Sequence, residues 1–133
     1  MRESFQSFSL FNHSGNRKYL NAAERRHFVE ATRYAPPKIR LFCLTLRWSG
    51  ARISEALALT LAAIDIESGV VSIRTLKRRK RGIVRQVPLP SDLIIELDRV
   101  FELRIAQRDP HPAMLRFWQW SRTTAWRHVK SVM

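Results

Sequence analysis

The sequence predicts a single α+β domain that is mainly helical and contains a small antiparallel sheet of three strands. Apolar residues follow a helical spacing over most of the chain, whereas residues 64–89 are rich in β-branched side chains and bounded by turn residues. The length of 133 residues suits one core, and an apolar fraction of 45% is enough to build it. These properties argue against a disordered tail and leave no room for two full domains.

The first part of the chain predicts two helices. Asn21 can cap a helix over about 22–33, because Glu24 stands three residues later, at the spacing of a capping box. The stretch 38–48 has few polar positions, which indicates a mostly buried central helix. Ser49-Gly50 is expected to end that helix, since small residues of this kind interrupt a helical pattern.

A short helix over 53–59 leads into the predicted sheet. The strands are expected over 64–66, 70–75 and 83–90, where β-branched residues predominate. The second and third strands form a hairpin that turns near Gly82. The prolines of the returning strand suit an edge position, because proline cannot donate a hydrogen bond to a neighbouring strand.

Helices return after the hairpin. A long helix is predicted over about 92–108, with apolar residues along one side. Met114–Trp120 is rich in aromatic residues, and Ser121 or Thr123 can cap a last helix.

The charge of the chain indicates a polyanionic partner. There are 24 Lys and Arg against 11 Asp and Glu, a formal net charge of +13. Such a field attracts nucleic acid first and acidic membrane second, although a basic protein without a nucleic-acid role is the alternative. We expect the DNA-binding residues to lie in the hairpin and the last helix: Arg74, Lys77, Arg78, Arg79, Lys80, Arg81, Arg85, Arg122, Arg127 and Lys130.

Other classes of protein are less compatible with the composition. The single cysteine, Cys43, excludes an internal disulfide framework and a cysteine-based zinc cluster. No apolar run approaches the roughly 18 residues of a membrane helix, and the N-terminus is too polar for a signal peptide. We expect a cytoplasmic protein with no membrane association, metal, cofactor or small-molecule substrate.

Arg52 is the first candidate site residue. The break at Ser49-Gly50 places it at the start of a helix, where a guanidinium beside free backbone N–H groups suits a phosphate. The alternative is an ion pair with Glu55, three positions further on. Taken alone, that pair is the more common arrangement, because exposed pairs at this spacing occur frequently on helices.

Lys77 is the second candidate. It stands where the first strand of the hairpin ends and the turn begins. A lysine on a stiff two-stranded ribbon can enter a DNA groove, and its ammonium can hold a phosphate or deliver a proton. The alternative is a solvated run of charge, as most such runs are, although strands tie this one down at both ends.

Together these segments resemble the catalytic domain of the tyrosine recombinase (phage integrase) family. The similar stretches are "SGARISEALALTLAAID", "TLKRRKRGIVRQVPLP" and the opening helix "KYLNAAERRHFVEA". In the family, a G-x-R-x-S-E segment supplies the first catalytic Arg and a β-hairpin supplies a catalytic Lys, which here correspond to Arg52 and Lys77. We therefore predict a linker-like N-terminus at 1–17 and a partial catalytic domain at 18–133.

The resemblance implies exchange of DNA strands at a phosphodiester without a metal or an energy cofactor. In the family, two Arg hold the scissile phosphate, Lys protonates the leaving 5′ oxygen, and a Tyr attacks to form a 3′-phosphotyrosyl bond. Fixed cations suit this reaction, because the transition state carries extra negative charge. Arg52 and Lys77 are accordingly the expected catalytic residues.

The sequence departs from the family pattern after the hairpin. None of its four His residues is followed by Arg at the third position, so no H-x-x-R box exists. Its two tyrosines, Tyr19 and Tyr34, both precede Arg52. We expect a truncated domain that is inactive alone and that other recombinase subunits could complete. The alternative is a non-catalytic basic nucleic-acid-binding or regulatory protein.

An incomplete domain should also expose apolar surface. The resemblance implies further C-terminal helices, which this sequence lacks and which pack on the central helix. Without them, we expect part of Leu41–Trp48 and the Phe117–Trp120 cluster to be exposed and to drive self-association.

Overall fold

The computed structural model describes residues 22–76 and 82–133, which form a helical domain with one small sheet. The predicted linker at 1–17, the cap at Asn21 and the hairpin cations of 77–81 lie outside these residues. The elements are α1 (Ala22–Thr32), α2 (Pro37–Ser49), α3 (Ile53–Leu57), a 3-10 turn (Leu61–Ala63), β1 (Ile64–Asp65), β2 (Val70–Arg74), β3 (Val84–Pro88), α4 (Ser91–Phe101), α5 (Leu103–Ala106), α6 (Pro110–Ala113) and α7 (Arg122–Val132). The predicted fold class, mainly helical with a three-stranded antiparallel sheet, is confirmed.

The central helix α2 is buried as its sequence predicts. Leu41, Phe42 and Leu46 are fully shielded from solvent. The helix ends at Gly50, which adopts a left-handed conformation with φ of 71° and donates its N–H to the Leu46 carbonyl at 3.1 Å. Glycine takes this conformation at little cost, so a sharp turn separates α2 from α3.

An aromatic cluster packs on α2 from the C-terminal part of the chain. The ring of Phe42 meets Trp118 edge-on with centroids 4.9 Å apart, and the Trp118 Nε1–H donates to the Lys38 carbonyl at 3.0 Å. Phe117 and Trp118 are both buried. The expectation that this cluster would be exposed is therefore wrong for these two residues, because α2 and α4 cover them within the described part of the chain.

The sheet has the order β1-β2-β3, and both pairs of strands are antiparallel. Val71 and Ile73 of the middle strand are fully buried, whereas β3 lies at the edge of the sheet, as its prolines predict. Arg74, the last residue of β2, pairs with Val84, the first residue of β3.

The predicted long helix over 92–108 is interrupted at Glu102. This residue has φ of 53°, which ends α4, and α5 starts immediately after it. The Asp98 carboxylate accepts hydrogen bonds from the Arg104 backbone N–H at 3.0 Å and from its Nε at 3.3 Å. These contacts give the backbone N–H of Arg104, in the first turn of α5, a hydrogen-bond partner. Leu103, the first residue of α5, is fully buried.

The last helix, α7, begins as predicted. Ser121, one of the two expected caps, accepts a hydrogen bond from the Thr124 N–H at 3.1 Å. Ala125, Val129 and Val132 form the buried face of α7, which contacts α1, α2 and α3. Within the described ranges, no helix combines the length and the apolarity that crossing a membrane requires.

Candidate nucleic-acid interface

Arg52 occupies the turn between α2 and α3. Its backbone is extended, with φ of −74° and ψ of 157°, and it immediately precedes α3, as the sequence predicts. The buried Ala51 anchors the turn by donating its N–H to the Ser49 hydroxyl at 3.1 Å. The turn therefore holds the backbone of Arg52 while its side chain is exposed to solvent.

A buried carboxylate organises this turn from inside the fold. Only 2% of the Glu55 side chain is exposed, and three donors reach it. Its Oε1 accepts hydrogen bonds from the Arg52 backbone N–H at 3.0 Å and from Arg85 Nη2 at 3.1 Å. Its Oε2 accepts a longer one from the Leu76 N–H at 3.4 Å. One side chain thus connects the Arg52 turn to β3 and to the segment that follows β2.

These contacts determine the charge state of Glu55. Burial raises the pKa of its carboxyl, but the hydrogen bonds from the Arg52 N–H, Arg85 and the Leu76 N–H, with the positive charge of Arg85, lower it below the ordinary value. Glu55 is therefore ionised at neutral pH, and its charge is matched by Arg85.

The ion pair between Arg52 and Glu55, the alternative role for Arg52, does not form. Glu55 contacts the backbone of Arg52, and its charge partner is Arg85. The Arg52 guanidinium makes no hydrogen bond or ion pair with any residue in 22–76 or 82–133. Its positive charge is therefore available to a ligand.

The hairpin residues fall into three groups. Arg74 is exposed at the end of β2. Arg85 is 39% exposed and uses its guanidinium on Glu55 and, from Nη1, on the Thr75 hydroxyl at 3.3 Å. The five cations at 77–81, Lys77 among them, lie outside the described residues, so their catalytic and DNA-binding roles stay predictions.

A second basic surface lies on α7. Arg122, Arg127 and Lys130 are exposed on this helix, which contains no acidic residue. The helix α3, which follows Arg52, contacts both α7 and β2, and each of these elements carries predicted DNA-binding residues. Among the described residues, no three His, Cys, Asp or Glu side chains are grouped as a metal site would require.

Sequence reasoning missed the central position of Glu55. Its three donors come from residues up to 30 positions away, and no local pattern specifies such pairing. One signal was present: Glu55 is the single acid among the apolar residues of α3, and an acid in that setting needs a buried partner.

The comparisons with known proteins agree with this architecture. A family model described as "Phage integrase family" matches residues 18–131. The chain belongs to the phage integrase family. Members of this family are tyrosine recombinases, so the resemblance of the Arg52 and hairpin segments is confirmed at the level of family.

A solved structure shares the fold. The crystal structure of XerA recombinase superposes with a TM-score of 0.64 at 18% sequence identity, covering 86% of this chain and 41% of that one. At this identity the similarity shows the fold alone, and this chain spans less than half the length of the recombinase. Comparison with curated proteins finds no match.

Proposed function

We propose that this chain binds double-stranded DNA as the phosphate-binding part of a tyrosine recombinase catalytic domain. Arg52 would contact the scissile phosphate, and Lys77 would act as general acid on the leaving oxygen. Arg74, the cations at 77–81 and the exposed cations of α7 would contact the flanking DNA backbone. The observation that carries the proposal is the exposed guanidinium of Arg52, which pairs with none of the residues in 22–76 and 82–133, on a turn whose backbone is fixed by a buried carboxylate.

This arrangement suits a phosphate for two physical reasons. A guanidinium can donate two parallel hydrogen bonds to phosphate oxygens, and an unpaired one loses no existing ion pair when it does so. The Glu55 network fixes the backbone of Arg52 before DNA arrives, so less ordering is needed on binding. A preorganised cation also stabilises the extra negative charge of the transition state for phosphoryl transfer.

We further propose that these 133 residues do not cleave and rejoin DNA by themselves. They contain no H-x-x-R box, and neither tyrosine follows Arg52. Tyr34 is 89% exposed just after α1, and Tyr19 lies outside the described residues. Other recombinase subunits are the partners that could supply a nucleophile. A role on DNA is compatible with the expected cytoplasmic location. The proposed chemistry uses no cofactor.

A second candidate function is favoured by the basic hairpin and by the lack of a tyrosine after Arg52. A non-catalytic nucleic-acid-binding or regulatory protein would keep the basic hairpin without a nucleophile. It would bind DNA with strong salt dependence and little sequence preference, since phosphate contacts carry no sequence information. The two candidates differ at Arg52, which a recombinase domain uses at the scissile phosphate and a general DNA binder does not need.

The test measures DNA affinity against salt concentration for three proteins. Wild type should bind duplex DNA with a steep salt dependence. Arg52→Ala should weaken binding and lower the log–log salt slope by about 0.9, the value for one lost phosphate contact. Arg108→Ala is the matched control, because it removes the same charge from an exposed position outside the site and should change little.

A covalent assay completes the test. Wild type with a labelled, nicked suicide substrate should give no protein–DNA adduct on a denaturing gel. A salt-independent affinity, or equal effects of Arg52→Ala and Arg108→Ala, would contradict the phosphate-binding proposal. An adduct that disappears in Tyr19→Phe or Tyr34→Phe would contradict the proposal of inactivity.

A further inference from the structure

Arg85 belongs to the basic hairpin, yet its contacts differ from those of a free surface cation. Its Nη2 donates to Glu55 Oε1 at 3.1 Å, and its Nη1 donates to the Thr75 hydroxyl at 3.3 Å. Arg74, on the strand paired with it, is exposed instead. The Arg85 guanidinium is therefore engaged by residues of the fold, whereas Arg74 of the same hairpin is exposed to solvent.

The carboxylate that Arg85 neutralises also holds the two segments that carry the proposed catalytic residues. Glu55 accepts the backbone N–H of Arg52 and that of Leu76, the residue that directly precedes Lys77 in the sequence. If Arg85 were removed, the buried charge of Glu55 would lack its counter-ion. Among the residues that the structure describes, Arg52 is a cation that could then pair with Glu55, because it stands three positions before it and already donates its backbone N–H to it.

We propose that Arg85 is a positioning residue that acts through Glu55, neutralising this carboxylate so that the Arg52 guanidinium stays free for phosphate, and that Arg85 is not itself a phosphate ligand. The inference rests on the proposed function, because it assigns Arg52 to a phosphate. It differs from the prediction made from sequence, which places Arg85 among the DNA-binding residues.

A cycle of variants separates the two roles. Arg85→Gln should weaken DNA binding and lower the salt slope by about 0.9, because Arg52 becomes engaged by Glu55. The double variant Arg52→Ala/Arg85→Gln should bind no more weakly than Arg52→Ala alone. Glu55→Gln/Arg85→Gln should recover the wild-type slope, since the buried charge that captures Arg52 is then absent.

The opposite pattern overturns the proposal. If Arg85 contacts phosphate directly, the losses of Arg52→Ala and Arg85→Gln add, and the change at Glu55 does not restore binding. Arg74→Gln is the matched control for a direct ligand: its effect should add to that of Arg52→Ala. Circular dichroism of each variant confirms that comparisons are made between folded proteins.

A second measurement does not depend on DNA. The backbone amide signals of Arg52 and Leu76 in an NMR titration report the ionisation of Glu55, which both amides contact. Among the described residues, Arg85 is the charged side chain that acts on this carboxyl. The midpoint of the titration should move to higher pH in Arg52→Ala/Arg85→Gln than in Arg52→Ala, because neither guanidinium can then act on the carboxyl. It should move less in Arg85→Gln, where Arg52 takes the place of Arg85. It should return most of the way in Arg52→Ala/Arg85→Lys and stay unchanged in Arg74→Gln.

The DNA-binding measurement and the NMR titration test different proposals, so a negative result in one can be told from a negative result in the other. If wild type shows no salt-dependent DNA binding, the proposed function is wrong, and the titration still decides whether Arg85 controls Glu55. If DNA binds as expected but the titration midpoint is the same in Arg52→Ala/Arg85→Gln as in Arg52→Ala, the positioning role is wrong.

Discussion

The Glu55 carboxylate is almost fully buried, where an isolated charge would be strongly unfavourable. Two backbone N–H groups and one guanidinium offset that cost, and they come from three separate segments of the chain. Because hydrogen bonds to a charged group are stronger than neutral ones, this single residue contributes both to stability and to the geometry of the site.

Glu55→Gln should therefore destabilise the fold by about 2 kcal/mol, since it replaces charge-assisted hydrogen bonds with neutral ones and leaves Arg85 without its counter-ion. Urea unfolding followed by circular dichroism measures the change. Glu30→Gln is the matched control: Glu30 forms an exposed pair with Arg33, and such pairs contribute less than about 1 kcal/mol.

The effect of Glu55→Gln on the free energy of unfolding should depend on pH. The pKa of Glu55 is lower in the folded state than in the unfolded state, so its contribution is fully present above the ordinary glutamate pKa. The contribution is lost as the pH falls through the lowered pKa of the folded state. The stability difference between wild type and Glu55→Gln should thus shrink below about pH 4.5. A difference that is constant from pH 7 to pH 3 would contradict the ionised, buried pair.

At the level of elements, the boundary between α4 and α5 illustrates how a side chain can redirect a helix. The spacing of apolar residues continues through Glu102, so it does not mark the break. Asp98 accepts two hydrogen bonds from Arg104, which gives the first turn of α5 a partner that a continuous helix would not use. Leu103, the first residue of α5, is fully buried, and the burial of this apolar side chain stabilises α5 in its place.

Glu102→Gly distinguishes the interrupted helix from a continuous one. Because Glu102 has φ of 53°, glycine should relieve backbone strain and raise the free energy of unfolding by up to about 1 kcal/mol. In a continuous helix the same substitution would lower it by about 1 kcal/mol. Ile95→Gly, at an exposed position within α4, is the control and should be destabilising in thermal or urea unfolding.

At the level of the whole molecule, the core is closed around α2. Leu41, Phe42 and Cys43 are shielded completely, and Trp118 covers Phe42 from the C-terminal side. Burial raises the pKa of the Cys43 thiol to about 12, because the thiolate would lose its hydration. The thiol is therefore both inaccessible and protonated in the folded protein.

Cys43 should report the opening of this core. In the native protein it should react with a thiol reagent at pH 8 far more slowly than a free thiol, and at full rate in denaturant. Trp118→Ala should accelerate native labelling, because it removes a large buried side chain that packs on Phe42, the residue before Cys43 in α2, and so loosens the core around this helix. Trp126→Ala, at a half-buried position on α7, should have a smaller effect. Rapid labelling of the wild type would instead support the expectation from the sequence that part of Leu41–Trp48 is exposed.

The sequence alone determined the features that depend on near neighbours. Ser49-Gly50 predicts the end of α2, β-branched and turn residues predict the hairpin, and Ser121 or Thr123 predicts the start of α7. The family was also accessible, because the Arg52 segment and the hairpin segment keep their residue types and order. These signals are local in the chain, and local backbone preferences and periodicity are sufficient to express them.

Only the tertiary structure decided which charges are free and which are neutralised. Arg52 and Arg85 are both basic residues at predicted site positions, yet Arg85 pairs with Glu55 across 30 positions and Arg52 does not pair with it. The burial of Phe117 and Trp118 and the break at Glu102 were decided in the same way. The physical reason is common to all three: the free energy of a side chain depends on its neighbours in space, and the fold brings together residues that the sequence keeps apart.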